Sequence, residues 1–273
     1  MKALFQAVLA ILVLHAATGA KAVDFSQADV LFKKRSEGVE ATESARAAYE
    51  SLVGAAAGAE LVYAVSQIAR LDIYQGEMLL PDASREERRR IFRRCYEDTA
   101  QRIKPELVGG TPQYYFFAGT CLAFWAEVAS PIERLTRVAE LKRLIAGGLA
   151  LDARYYGGGI RRVASAVYAN PMARAVGLYN PEESLRLVDE AISAEAYPGD
   201  PHPGASYYSN HKYRTRALRE LGRTTEAIEF ANASLREIEE LVAQGALPEG
   251  LEPETKFEMR ELRELIEQMS HRL

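Results

Sequence analysis

Apolar residues recur along most of the chain at the three- and four-residue spacing of amphipathic helices, and no segment alternates apolar and polar residues as a half-buried strand would. Short polar caps followed by Glu mark three helix starts, at Ser84–Glu87, Ser130–Glu133 and Asn180–Glu183, and Thr111-Pro112 marks a fourth. The pattern predicts helices over 41–54, 59–76, 85–103, 112–129, 132–151, 159–169, 181–194, 205–221, 224–243 and 254–271, with a shorter one over 26–35.

The segment Lys212–Ile238 has the character of a tetratricopeptide helix–turn–helix unit. Gly222 ends its first helix, and Ala227 is small enough to let two helix backbones approach closely. Pairing the predicted helices gives units that begin near residues 59, 112, 158 and 204, a wider spacing than that of an ideal array. We therefore expect an all-α fold, a tetratricopeptide-like solenoid or superhelix of antiparallel helix pairs. Such a stack presents a concave binding surface rather than a ready catalytic centre.

The first 22 residues are predicted to be a cleaved signal peptide. Lys2 precedes the apolar run Ala3–Ala17, and Ala20-Lys21-Ala22 fits a small-x-small cleavage site. The remaining residues, 23–273, are expected to form one helical repeat domain that is exported, to the periplasm in a Gram-negative cell. The alternative is an uncleaved anchor, although the apolar run is short for spanning a bilayer. No Cys lies near the cleavage site, so no lipid anchor is expected there.

The charge balance argues against nucleic acid as a partner. The chain has 34 Lys and Arg against 38 Asp and Glu, and loss of the leader would leave 32 against 38. Nucleic-acid binding needs a basic surface that this balance does not suggest. The most basic stretch, Arg85–Arg94, includes two Glu residues and is predicted to be a solvated helix face rather than an anion site.

Cys95 and Cys121 are candidates for a disulfide. They lie at equal sequence distance from the loop around Val108, so an antiparallel hairpin of helices 85–103 and 112–129 would bring them to the same height. An oxidising compartment would favour the bond, whereas two reduced cysteines would serve as small core residues. No metal site is expected, because neither Cys has a His or another Cys nearby in sequence.

Two segments could contribute a ligand-binding wall. Helix 112–129 is dense in aromatic residues, among them Tyr114, Tyr115 and Trp125, which either pack in the core or, with Tyr168, line a cavity for an apolar or amphipathic ligand. The run Gly157–Gly159 precedes Arg161 and Arg162 at a predicted helix start. This combination either holds a carboxylate or phosphate or lets helices pack closely.

The Pro-rich loop Tyr197–Gly204 leads into a helix that carries Tyr207, Tyr208 and His211. Together with His202, these side chains would form the rim of a ligand site, or the loop is a stiff connector whose polar groups bind backbone. Proximity of His residues to Asp and Ser in sequence does not make a catalytic triad. No catalytic residue and no cofactor are therefore predicted, and an all-α hydrolase or lyase is the less favoured alternative.

The chain resembles the T component of tripartite ATP-independent periplasmic (TRAP) transporter systems, called TatT. The likeness covers most of residues 23–273, and it is carried by four stretches in order, Ala28–Phe32 with Arg46–Leu52, Ile68–Leu71 with Tyr74–Glu77, Tyr114–Gly119 with Trp125, and Leu149–Tyr155 with Gly157–Gly159, Val167-Tyr168 and Gly177–Glu182. The resemblance implies a periplasmic all-α protein with a hydrophobic pocket or pore, possible trimerisation and a TRAP-type solute-binding protein as partner. Members are commonly lipoproteins, and here the lipid-acceptor Cys is lacking.

The resulting hypothesis is a protein that binds without catalysis, an auxiliary component for uptake of a small apolar or amphipathic organic ligand. The alternative is a periplasmic adaptor whose concave face holds a peptide or a partner helix. An enclosed cavity lined by Tyr114, Trp125 and Tyr168 would favour the ligand carrier, and an open groove with exposed aromatic residues would favour the adaptor.

Overall fold

The computed structural model describes residues 22–271, and the chain is all-α over this range. These residues contain no β-strand, only an isolated bridge between Tyr197 and Asp200. The predicted signal peptide lies outside the described residues, apart from its last position. Twelve α-helices make up the described part: α1 Ser26–Lys33, α2 Val39–Val53, α3 Gly58–Tyr74, α4 Arg85–Arg102, α5 Pro105–Val108, α6 Pro112–Val128, α7 Pro131–Leu151, α8 Tyr155–Tyr168, α9 Pro181–Ile192, α10 Tyr208–Glu220, α11 Thr224–Gln244 and α12 Glu252–Ser270.

The predicted helix starts are confirmed by their capping bonds. The side chains of Ser84, Thr111, Ser130 and Asn180 each accept a hydrogen bond from the backbone N–H three residues further on. Each bond satisfies one of the N–H groups that a helix start leaves without a partner. The polar caps therefore fix where four helices begin, as the sequence indicated.

The helix predicted over 59–76 continues a few residues beyond Gly76. After α3 the chain continues as a π-helix over Gln75–Leu79, so this glycine does not end the helical segment. A Cβ atom on Gly76 would lie 2.5 Å from the ring of Phe92, which means that the glycine is needed for close packing against α4. The sequence also did not indicate the short helix α5 or the 3₁₀ helix Pro171–Val176.

Each long helix packs against the next along the chain, and several also contact the next but one, as α6 does with α8 and α10 with α12. Stacked helix pairs would produce this order of contacts. Regular repetition of the pairs stays a prediction. A disulfide between Cys95 and Cys121, with their Cα atoms 5.7 Å apart, joins α4 to α6 in the core.

The two ends of the described chain meet. Arg35, in a 3₁₀ turn just after α1, donates hydrogen bonds to the Glu254 carboxylate of α12 and to the backbone carbonyl of Gly250. The Arg35 side chain is almost completely buried, and its nitrogen lies 2.8 Å from the Glu254 oxygen. This contact joins the segment that follows the first helix to the last helix. No helix in the range 22–271 is both long and apolar enough to cross a membrane.

Candidate functional site

A cavity with about 200 Å³ of space for water-sized molecules lies among α3, α6, α7, α8, α10 and α12. Its wall is mainly apolar, and its aromatic members are Tyr74, Phe116, Phe117, Phe124, Tyr156, Tyr207, Tyr213 and Phe257. Met172, which is half exposed, also lines it and marks a side that is open to solvent. An apolar concave space of this kind, with a few polar groups facing it, is the usual form of a small-molecule site.

Tyr156 is the most constrained residue of the cavity wall. Its backbone is left-handed, with φ 55° and ψ 50°, and Gly157 and Gly158 continue in the same conformation. A residue with a side chain adopts this conformation at a cost of about 1–2 kcal/mol. The turn places the Tyr156 ring against Phe116, with ring centroids 4.9 Å apart, and against Tyr207, at 5.0 Å.

The two glycines after Tyr156 are required by close packing. A Cβ atom at Gly157 would lie 2.0 Å from the Tyr207 ring, and one at Gly158 would lie 2.7 Å from the backbone of Ala191. The Gly158 N–H already donates to the carbonyl of Arg154. The structure therefore gives the glycine run the packing role that the sequence left open beside anion binding.

Two guanidinium groups flank the Tyr156 ring, Arg70 at 5.4 Å and Arg162 at 5.8 Å from its centroid. Both line the cavity, and both distances allow an attractive cation–π contact. The Arg162 ion also lies 5.3 Å from the centre of the Tyr207 ring. The aromatic wall and the cationic groups thus form one continuous surface.

Arg162 is only 6% exposed, and its hydrogen bonds go to neutral groups. It donates to Asn210 Oδ1 at 2.9 Å and to the Tyr156 carbonyl at 3.3 Å, and no carboxylate oxygen of residues 22–271 lies within 4.0 Å of it. Burial therefore lowers the pKa of Arg162. Asn210 is held in place by bonds from its amide nitrogen to the carbonyls of Gly157 and Gly204.

Lys212 and Glu77 of the cavity wall have partners of opposite charge. Lys212 Nζ lies 2.7 Å from the carboxylate of Glu258, and both side chains are buried. Glu77 accepts a hydrogen bond from Arg88. Burial, with a smaller contribution from the nearby Glu127, raises the pKa of Glu77 to about 7.

The aromatic residues that the sequence assigned to the wall lie elsewhere. Tyr114 is buried and accepts a hydrogen bond from Arg143, and Trp125 is buried and donates to Glu133. Tyr115 packs over Gly147, and Tyr168 packs against the main hydrophobic core. None of these four lines the cavity, because the helix faces that carry them point to neighbouring helices. The wall uses Phe116, Phe117 and Phe124 of α6 instead.

The polar site residues predicted around the Pro-rich loop have hydrogen-bond partners within the protein. His202 contacts the Glu249 carbonyl and Tyr208 donates to Glu237. Arg161 points away from the cavity, towards Glu190 and the Ala153 carbonyl. Of the predicted ligand-binding residues, Arg162 and Tyr207 are the two that line the cavity.

His211 lies within hydrogen-bond distance of a serine hydroxyl, as a catalytic base would, but substrate cannot reach the pair. Its Nδ1 lies 2.8 Å from Ser234 Oγ, and its Nε2 lies 3.1 Å from the Ala205 carbonyl. Both side chains are buried and neither lines the cavity, and burial lowers the pKa of His211. The Ser234 hydroxyl also donates to the Phe230 carbonyl. This arrangement is that of a hydrogen-bonded core pair, since a nucleophile must be reachable by substrate.

Arg70 was missed, although the sequence carries a signal for it. It is the only basic residue in the largely apolar helix Gly58–Tyr74, and a basic residue on such a helix suggests a partly buried polar role. The left-handed turn at Tyr156 has no such signal, because a Tyr before three glycines is compatible with many conformations. In the described range no group of three His, Cys, Asp or Glu side chains is placed to hold a metal ion.

No protein-family model matches this chain, and no curated protein matches it either.

Proposed function

We propose that the protein binds a small apolar or amphipathic organic ligand reversibly in the central cavity. It does so as an auxiliary component of a TRAP-type uptake system. The observation that carries the proposal is the cavity itself, which is bounded by six helices and lined by aromatic rings with a few charged groups. Burial of apolar ligand surface would supply most of the affinity, and the few polar groups would orient the ligand. No chemical step is needed for this role.

The strained turn at Tyr156 supports ligand binding over a purely structural role for this wall. A left-handed Tyr persists only where its surroundings hold it, and such residues are found disproportionately at binding sites. Here the turn places an aromatic ring near two cationic groups on the cavity surface. A core built only for stability would place Gly or Asn at this position.

The proposed role in a TRAP-type uptake system rests on the resemblance to TatT. The resemblance implies the periplasmic location, the solute-binding protein as partner and the possible homotrimer. In this role the protein would exchange ligand with its partner, so moderate affinity and rapid release serve it better than tight capture. Co-purification of the protein with a solute-binding protein, followed by cross-linking, tests this part separately from ligand binding.

An adaptor role is the second candidate, and one surface feature favours it. Ile132 and Leu135, one helical turn apart near the start of α7, are 78% and 59% exposed. Two apolar side chains on one exposed helix face could contact a partner protein. This face lies outside the cavity wall, so the two roles are compatible in one molecule.

Filling the cavity tests the proposed function. Ala166 lines the cavity, and replacement by Phe places a ring in the space that the ligand would occupy. The control is Ala233→Phe on the exposed face of α11, which carries the same helix-propensity change. Binding of the neutral apolar dye N-phenyl-1-naphthylamine is measured by fluorescence, and native mass spectrometry of the purified protein shows any retained molecule.

We expect the wild-type protein and Ala233→Phe to bind the dye alike, and Ala166→Phe to bind it at least tenfold more weakly. Native mass spectrometry should show added mass on the first two proteins only. Absence of dye binding by the wild-type protein, or equal binding by all three, would refute the proposal.

A further inference from the structure

The carboxylates near the cavity are already matched to cations, apart from Glu127. Glu258 pairs with Lys212, Glu77 with Arg88, and Glu254 with Arg35. These pairs leave little negative charge for the remaining cations of the wall.

Arg134, Arg137 and Arg162 are cations of the wall that have no carboxylate oxygen of residues 22–271 within 4.0 Å, and of these three Arg162 is the one that is buried. Arg162 makes its bonds to an amide and a carbonyl. The nearest carboxylate oxygen to Arg70 belongs to Glu254, at 4.0 Å, and the one hydrogen bond of Arg70 goes to Gln67. Its Nε is buried without a hydrogen-bond partner. A guanidinium has five N–H donors, so Arg162 and Arg70 each have several to spare.

A buried cation without a counter-charge is expensive, because it has left water and gained no opposite charge in return. Arg162 bears this cost, whereas Arg70, near the same ring, shares the Glu254 carboxylate with Arg35. The cost is removed when an anion enters, and the planar fork of Arg matches the two oxygens of a carboxylate. The surrounding rings of Phe116 and Tyr207 offer an apolar surface directly beside these donors.

We propose that the ligand of this cavity is an amphipathic carboxylate. Its head group binds Arg162 and Arg70 beside Tyr156, and its apolar body lies along the aromatic wall. This inference rests on the proposed function and specifies the class of ligand. It also gives the left-handed turn a purpose, since the turn places the Tyr156 ring within 5.8 Å of both guanidinium groups.

Matched probes test the inference on the unmodified protein. Decanol has the apolar body of decanoate without the carboxylate, and acetate has the carboxylate without the apolar body. The affinity of each probe is measured by its displacement of the neutral dye, below micelle-forming concentrations. Partition into an apolar space alone favours decanol over decanoate. A carboxylate site reverses this order, and acetate then binds weakly because it lacks the apolar body.

Variants locate the head group. Arg162→Gln removes the buried cation, and Arg161→Gln on the same helix is the control, because Arg161 pairs with Glu190 outside the cavity. Arg70→Gln is the second test variant, and circular dichroism checks that all three are folded. We expect Arg162→Gln to weaken decanoate binding by about ten- to a hundredfold, as for loss of charged hydrogen bonds, with little change for decanol. Arg161→Gln should change neither.

The outcomes separate the two proposals. If decanol and the dye bind but decanoate binds no better than decanol, the carboxylate site is refuted and the ligand cavity stands. If decanoate affinity is unaffected by both Arg162→Gln and Arg70→Gln, the carboxylate site is likewise refuted. If none of the apolar probes binds, both proposals fail. Should Arg162→Gln not fold, the comparison of probes on wild-type protein still decides.

Discussion

The buried ion pair between Lys212 and Glu258 gives a sharp test of the energetics of the cavity wall. Replacement of Lys212 by Met keeps a similar volume and leaves the Glu258 carboxylate without its cation. The two charged atoms are 2.7 Å apart and their side chains are only 5% and 7% exposed. At an effective dielectric constant of about 20, the gross attraction at this distance is about 6 kcal/mol, and desolvation of the two ions offsets much of it.

The single and the double substitution are expected to differ strongly in their effect on the free energy of unfolding. Lys212→Met should lower the free energy of unfolding by about 3–5 kcal/mol, because an uncompensated carboxylate stays buried. The double variant Lys212→Met/Glu258→Leu should lie within about 2 kcal/mol of the wild type, since both desolvation costs disappear with the attraction. Urea unfolding followed by circular dichroism, without reductant, measures all of these differences.

The surface pair of Arg263 and Glu239 is the matched control. Its atoms are 2.8 Å apart, almost the same separation, but each side chain is 52% exposed. Arg263→Met should therefore cost less than about 1 kcal/mol. If Lys212→Met costs no more than Arg263→Met, or if the double variant is as unstable as Lys212→Met alone, the reasoning from burial is refuted.

Three further predictions concern the scaffold and its pH response. Replacement of Cys95 and Cys121 by Ser should lower the free energy of unfolding by about 3.5 kcal/mol, the chain-entropy value for a sequence separation of 26 residues, measured by urea unfolding. Gly158→Ala should cost about 2–4 kcal/mol by the same assay, because it combines a positive φ with overlap on the neighbouring helix. Glu77 has a pKa raised to about 7 in the folded protein, against 4.5 for the free side chain, so its contribution to stability is complete below about pH 4.5 and is lost as the pH rises through 7. This loss amounts to about 3 kcal/mol at most, and Glu77→Gln should remove that part of the pH dependence.

Each of these has an outcome that contradicts it. Equal urea midpoints for the wild type and the Cys variant under oxidising conditions would exclude a stabilising disulfide. Gly222 has nearly the same positive φ as Gly158 but open space around it, so Gly222→Ala isolates the backbone cost. Equal losses at the two glycines would contradict the packing argument. A wild type whose stability does not fall between pH 5 and pH 8, relative to Glu77→Gln, would contradict the assignment for Glu77.

The helices were predictable because their ends are set locally. A polar cap such as Ser130 bonds to a backbone N–H three residues away, so the residues that decide the boundary lie side by side in sequence. Gly76 shows the limit of local reasoning. It reads as a helix stop, but its role depends on Phe92 from another helix, and no local pattern records that contact.

The candidate site was predictable only in part, because its wall is decided by which helix face turns inward. Adjacent aromatic residues on α6 point in different directions, so Phe116 and Phe117 reach the cavity while Tyr114 and Tyr115 do not. Arg162 was identified from its position after the glycines, although for a helix-start anion site rather than for a cavity. The pairing of Arg70 with Arg162 about one ring joins helices far apart in sequence and could not be deduced from spacing.

The contact of Arg35 with Glu254 has a consequence for how the molecule comes apart. In an open array of helix pairs, the terminal units have one neighbour and therefore fray before the middle melts. Here the turn that follows α1 is hydrogen-bonded to α12, so neither end of the described chain is free to unfold before the middle. Amide hydrogens of α1 and α12 should consequently exchange nearly as slowly as those of the central helices. Removal of the ion pair by Arg35→Gln should speed up exchange in both terminal helices together.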